Sequence, residues 1–142
     1  MNESSPDTQA ALLSNLASLG DRLLGQIIDG TIALAIMGAS AVLFFVSVMA
    51  GAAALIAGVV VAILYIWLSD GLENGQSYGK RVVKTAVVDA TTGAPCGFGQ
   101  SFLRNFLSSI LGIIDWVFIF GRKRQRLGDM AANTLVIKAA GN

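Results

Sequence analysis

The chain of 142 residues has no histidine and a single cysteine, Cys96. Without histidine, the hydrolytic triads that use it as general base are excluded. One cysteine cannot close an intrachain disulfide, and with no histidine beside it neither a zinc nor an iron–sulfur site is expected. No nucleophile–base pair is visible, so neither an enzyme nor a cofactor is expected. Charge is scarce as well. Charged residues make up 13% of the chain, against about 25% in a soluble domain. None lies between Gly30 and Ser69, a run of 40 positions.

What is present is apolar. Hydrophobic residues are 54% of the chain and the mean hydropathy is +0.67, which marks an integral membrane protein. The net charge of +1 says little, because the charges are segregated. Residues 1–21 carry Glu3, Asp7 and Asp21 and no lysine or arginine. A secretory signal opens on a basic stretch, so the first apolar run is expected to stay as an anchor.

We divide the chain into an N-terminal tail with an amphipathic interfacial helix, 1–21, and a membrane domain, 22–142. Ser5-Pro6-Asp7 reads as a helix start, and Leu12, Leu16, Leu19 and Leu23 then share a face. That places a helix over 7–20 on the membrane surface, or packed on the protein's own loops. As one helix from Leu23 the apolar run would be roughly 69 Å long, against a hydrocarbon core of about 30 Å. It must fold into two spans, about 22–48 and 52–69, with the bend near Ala50–Ala54. Small residues recur at four-residue intervals, Thr31, Ala35 and Ala39 in the first span and Ala50, Ala54, Gly58 and Ala62 in the second. Such stripes let helices approach closely in lipid, within the hairpin or between subunits.

The polar loop 70–100 contains the β-branched stretch Arg81–Asp89, and the basic tail 121–142 contains Thr134–Lys138. Both read as strands and would form a small sheet on one side of the membrane. Between them lies a third apolar segment, 102–120, interrupted by Arg104 and Asp115. Its charge-free core is too short to span, so it is either a spanning helix with its polar stripe turned inward or a re-entrant one. Basic residues favour the cytoplasmic side. The clusters before and after the segment share that side only if it does not cross. The fold class is thus an all-α membrane protein: a two-helix transmembrane hairpin, a third apolar helical segment and a small β element.

Asp29 and Asp115 are carboxylates set in apolar surroundings, where a charge costs roughly 2.5–3.5 kcal/mol and marks a functional candidate. Each follows an arginine at a helical interval: Arg22, Gln26, Asp29, and Arg104, Ser108, Gly112, Asp115. Both are candidates for ion binding or proton exchange. Gly75-Gln76-Ser77-Tyr78-Gly79-Lys80-Arg81 has the flavour of a phosphate loop, but Gly75 stands one position too close and Arg81 replaces the hydroxyl residue. Arg122, Lys123, Arg124 and Arg126 are expected to meet anionic lipid headgroups; without interleaved aromatics and beside a membrane segment, they do not suggest nucleic acid.

Arg22, Asp29, the phrase from Gly75 to Arg81, Arg104-Asn105, and Arg124-Gln125-Arg126-Leu127-Gly128-Asp129 together resemble the RDD family of small bacterial membrane proteins, over about 17–138. The resemblance implies that the arginine and two aspartates of the name are Arg22, Asp29 and Asp129. It implies transport only loosely, through members with reported cation/proton antiport. Two readings stay open. In one, Arg22, Arg104 and Asp129 are structural charge partners in a scaffold or accessory subunit that binds membrane proteins. In the other, an oligomer exchanges H⁺ for Na⁺ or Li⁺ at Asp29 and Asp115. In either, a homo-oligomer in the bacterial inner membrane, multi-pass with a cytoplasmic N-terminus, is expected.

Overall fold

A computed structural model of the chain describes residues 6–121 and 123–139. After helix α1 (Pro6–Ser14), the chain does not continue helical to residue 20. Leu16 bridges to Ile137 and Ala17 N–H donates to the Val136 carbonyl at 2.9 Å. A new helix, α2 (Leu19–Ala41), then starts on Ser18, whose hydroxyl accepts from Asp21 N–H at 3.0 Å. The expected 7–20 helix is thus two helices. The peptide groups between them hydrogen-bond to the edge of a sheet, which a continuous helix would forbid.

The first span extends α2 by one 3-10 turn, Val42–Phe45. The chain bends at Val46–Ser47, earlier than expected. Ser47 caps α3 (Val48–Leu68) by accepting from Ala50 N–H at 3.0 Å. The small residues from Ala50 to Ala54 lie inside α3, where alanine is the best helix former. Both spans are long and apolar enough to cross a membrane. They meet where side chains are absent or small. A Cβ on Gly58 would strike the Ser40 side chain, and one on Gly51 would strike the Phe44 ring. Ala33 and Ala62 are also buried, whereas Phe45 is 94% exposed and Met49 85%, as suits side chains facing lipid. Thr31 and Ala35 point outward too.

The polar half is built around the hairpin's open end. A short helix α4 (Tyr78–Val82) leads into β1 (Thr85–Asp89), which pairs antiparallel with β2 (Thr134–Lys138), Val87 opposite Val136. Ala17, Val87, Cys96 and Val136 form a small core beneath this sheet.

Between the strands run α5 (Phe98–Leu111), α6 (Ile113–Val117) and α7 (Leu127–Ala131). The third apolar segment is therefore not one helix. It breaks at Gly112, whose φ of +54° is a region that L side chains rarely adopt. The 14 residues of α5 make a rod of about 21 Å, well short of a span. The strands at its two ends hydrogen-bond to each other, so both ends lie on one side. Trp67 at the end of α3 holds α5 through edge contacts to Phe102 and Phe106, with ring centroids 5.5 and 5.3 Å away. Ser101 Oγ donates to the Trp67 carbonyl at 2.8 Å.

Candidate functional site

At the junction of the hairpin and its polar cap lie four buried carboxylates, Asp29, Asp70, Asp115 and Asp129. Four cationic side chains face them, Arg22, Lys80, Arg104 and Arg126. The charges balance, and charges taken out of water persist only when paired and hydrogen-bonded.

Asp29 is brought to this junction by α2 and met by α4. Its Oδ1 accepts from the Tyr65 hydroxyl at 2.7 Å and from Gly79 N–H at 2.9 Å, and its Oδ2 accepts from the Ser77 hydroxyl. Lys80 Nζ stands 4.0 Å from Oδ2. Ser77 is also the N-cap of α4, accepting from Lys80 N–H at 3.3 Å. Such close docking requires glycine at two places. A Cβ on Gly79 would run into the Gly25 carbonyl and come within 2.9 Å of the Asp29 carboxyl, and one on Gly25 would press on Val83. The phrase with the flavour of a phosphate loop thus cradles the chain's own carboxylate.

Asp129 is met by three arginines. Arg22 Nη2 donates to its Oδ2, while Arg104 Nη2 lies 2.8 Å and Arg126 Nη2 3.3 Å from Oδ1. Arg126 N–H donates to Oδ2 at 3.2 Å, so Asp129 also closes the first turn of α7. Burial alone would raise this carboxyl's pKa, but the guanidiniums of Arg104, Arg126 and Arg22 outweigh it and hold the group far below the usual carboxylate range. Arg22 also donates to the Arg124 carbonyl.

Asp70, at the end of the second span, accepts from Lys80 Nζ and from Asn105 Nδ2 at 3.1 Å, with Arg104 Nη1 at 3.4 Å. Asp115 accepts from Gly128 N–H at 2.9 Å and from the Ser108 hydroxyl at 2.5 Å, and Arg126 Nε lies 3.7 Å away. The ladder expected from Arg104 to Asp115 is interrupted by the Gly112 break, so Arg104 faces Asp70 and Asp129 instead of Asp115. The fold-back at Gly112 is what returns Asp115 to Ser108. Gly128 lets α7 lie on α5, since a Cβ there would meet the Arg104 carbonyl and stand 2.9 Å from Ser108 Oγ.

Of the expected headgroup contacts, Lys123 and Arg124 are exposed. Arg126 is buried and turned to Asp129 and Asp115, a correction to its assignment to lipid. Arg122 lies outside the described residues. Asp70, Lys80, Tyr65 and Ser77 are members of the cluster that residue patterns did not assign. Asp70 carried a signal, being the first charge after the long apolar run, and so did Ser77 and Lys80, within the loop phrase.

The cluster encloses a cavity of about 50 Å³ whose wall includes Arg22, Asp29, Asp70, Lys80, Arg104 and Arg126. The exposed residues of its lining are Gln26 on α2 and Ile66 on α3, which places the mouth between the two spans. Among the described residues, no group of three or more His, Cys, Asp or Glu side chains is arranged to hold a metal.

The model of the RDD family matches residues 16–133. No curated protein and no solved structure matches the chain.

Proposed function

The chain belongs to the RDD family, and from that footing we propose that it acts as a membrane scaffold or accessory subunit that binds partners within the bilayer. One observation carries this reading. Each of Asp29, Asp70, Asp115 and Asp129 already takes hydrogen bonds from donors of the same chain. Carboxylates so occupied fasten a polar cap to a hairpin; an exchanger needs them open to an ion. The outward faces of the spans, with Leu34, Thr31 and Ala35 on α2, offer apolar and small side chains to a neighbouring helix or to a second copy. The reading gives the chain no catalytic role.

Lys80, Arg81, Lys84, Lys123 and Arg124 all belong to the polar half, which favours a cytoplasmic cap in an inner membrane and contact of Lys123 and Arg124 with anionic headgroups. The two spans would then leave the N-terminus on the same face.

A second reading, an oligomeric cation/proton antiporter, is favoured by one observation: Asp29 and Asp70 both stand in the wall of the cavity. Flux of Na⁺, Li⁺ and H⁺ in vesicles containing the purified protein separates the two. The scaffold reading expects no flux above protein-free vesicles, with Asp29→Asn lowering thermal stability only. Cation or proton flux that disappears in Asp29→Asn would sink it. Capture of a defined membrane partner after cross-linking in native membranes would support it.

A further inference from the structure

We propose that the cavity at the head of the hairpin binds a phosphate-class oxyanion, either a free phosphate ion or the headgroup phosphate of an anionic lipid. Arg104 is the observation that points there. It is wholly buried and lines the cavity. Its charge is compensated, with Asp129 Oδ1 at 2.8 Å and Asp70 Oδ2 at 3.4 Å. Its N–H bonds are not: Nε, Nη1 and Nη2 make no directed hydrogen bond to an acceptor among the described residues. A guanidinium presents a planar fork of donors that matches a phosphate, and buried donors left without acceptors are costly.

The cavity's own charge agrees. Arg22, Lys80, Arg104 and Arg126 stand in its wall against two carboxylates, Asp29 and Asp70. Asp115 and Asp129 pair with the arginines but do not line it. The oxygens of Asp29 are taken by three donors, and Arg22, Lys80 and Arg126 are engaged by the chain's own acceptors, so the fork of Arg104 is what the wall holds out to an incoming ion. The volume of about 50 Å³ exceeds the roughly 10–15 Å³ that one water needs and suits one small tetrahedral anion. Its mouth at Gln26 lies about 10 Å along the helix from Leu19, near enough to the bilayer surface for a headgroup. The inference does not rest on the scaffold reading, since an anion could be held whether or not a partner binds.

Two arms identify the source. The full-length protein in a detergent with neutral headgroups is titrated with radiolabelled inorganic phosphate, against chloride at matched ionic strength. The protein is separately taken from vesicles of phosphatidylglycerol and phosphatidylcholine and examined by native mass spectrometry for retained phosphatidylglycerol. Phosphate bound in the first arm assigns a free anion; phosphatidylglycerol retained without it assigns a headgroup. Arg104→Lys keeps the charge but loses the fork and should weaken binding about tenfold or more. Gln26→Trp stands at the mouth outside every ion pair. It should weaken binding comparably without lowering the melting temperature of the anion-free protein, and it decides the matter if Arg104→Lys fails to fold. Folded wild type that binds neither probe, or binding untouched by Gln26→Trp, overturns the proposal.

Discussion

Asp29 Oδ1 accepts the backbone N–H of Gly79 at 2.9 Å, joining a carboxylate of the first span to the first turn of α4. The contact depends on what Gly79 lacks. With Ser77 donating to the other oxygen, this short loop treats Asp29 as an anionic ligand held in cis. The spacing of the phrase fails a nucleotide loop by one residue, yet its donors serve the same electrostatic purpose.

Gly79→Ala should therefore destabilise the protein, because its Cβ would enter the space of the Gly25 carbonyl and the Asp29 carboxyl. Overpacking of this kind costs about 1–3 kcal/mol. Gly128→Ala should behave alike, against Arg104 and Ser108. Melting temperatures in detergent measure both, with Gly30→Ala, where a Cβ meets no atom within 4 Å, as the control that should change little.

Arg22 and Asp129 should be energetically coupled, and asymmetrically so. Asp129→Ala leaves Arg22, Arg104 and Arg126 without their shared carboxylate, and a stranded buried charge costs about 3–5 kcal/mol. Arg22→Ala leaves Asp129 two arginines and should cost less. In a double-mutant cycle, the two losses should sum to more than the loss in the double mutant. Strict additivity would mean that the ion pair contributes nothing.

The contribution of Asp129 should persist through mild acid. Its folded pKa is depressed, so the stabilisation is complete above the unfolded value of about 3.9. It is lost only as pH falls below that value, towards the lower folded one. The difference in melting temperature between wild type and Asp129→Asn should stay constant from pH 8 to pH 5 and shrink below about pH 4. A difference that fades already between pH 7 and pH 5 would contradict the tightly paired carboxylate.

Cys96 should resist thiol reagents in the folded state. Burial pushes its thiol pKa up to about 11, so little thiolate exists at neutral pH. Labelling by a small maleimide should be slow until denaturant is added. Single cysteines introduced at exposed Met49 or Lys138 can then report sidedness in the wild-type background, and a cytoplasmic cap expects Lys138→Cys to be protected from a non-permeant reagent in intact cells.

Much of this arrangement was legible in the sequence, for physical reasons. The hairpin follows from a charge-free run too long for one crossing, and the sheet from two β-branched stretches that each need a partner. Asp29 and Asp115 stood out because charge within apolar sequence demands compensation, Arg22 by its helical interval from Asp29, and Asp129 through the family resemblance alone. Asp70 and Lys80 did not, because a charge at the edge of a polar loop looks solvated until tertiary structure buries it. Arg126 was assigned to lipid because a basic run has the same composition whether a member faces headgroups or carboxylates. The break at Gly112 escaped because the stripe from Arg104 to Asp115 fits an unbroken helix equally well. The contacts that accompany the fold-back, Gly128 against α5 and Asp115 with Ser108 and Gly128, join residues that the stripe does not put in contact.

The partners of the cluster are far apart along the chain. Arg22 and its carboxylate are separated by 107 positions, and Ala17 awaits a carbonyl at Val136. At about 5–20 residues per second of synthesis, the first helix emerges roughly 5–20 s before the tail that neutralises it. The hairpin thus passes through a stage in which Arg22 has no counter-charge from Asp129 and must keep to water or headgroups. The ribosome's schedule turns α7 into a checkpoint: a chain that stops short of Asp129 leaves its first membrane helix with an unanswered arginine.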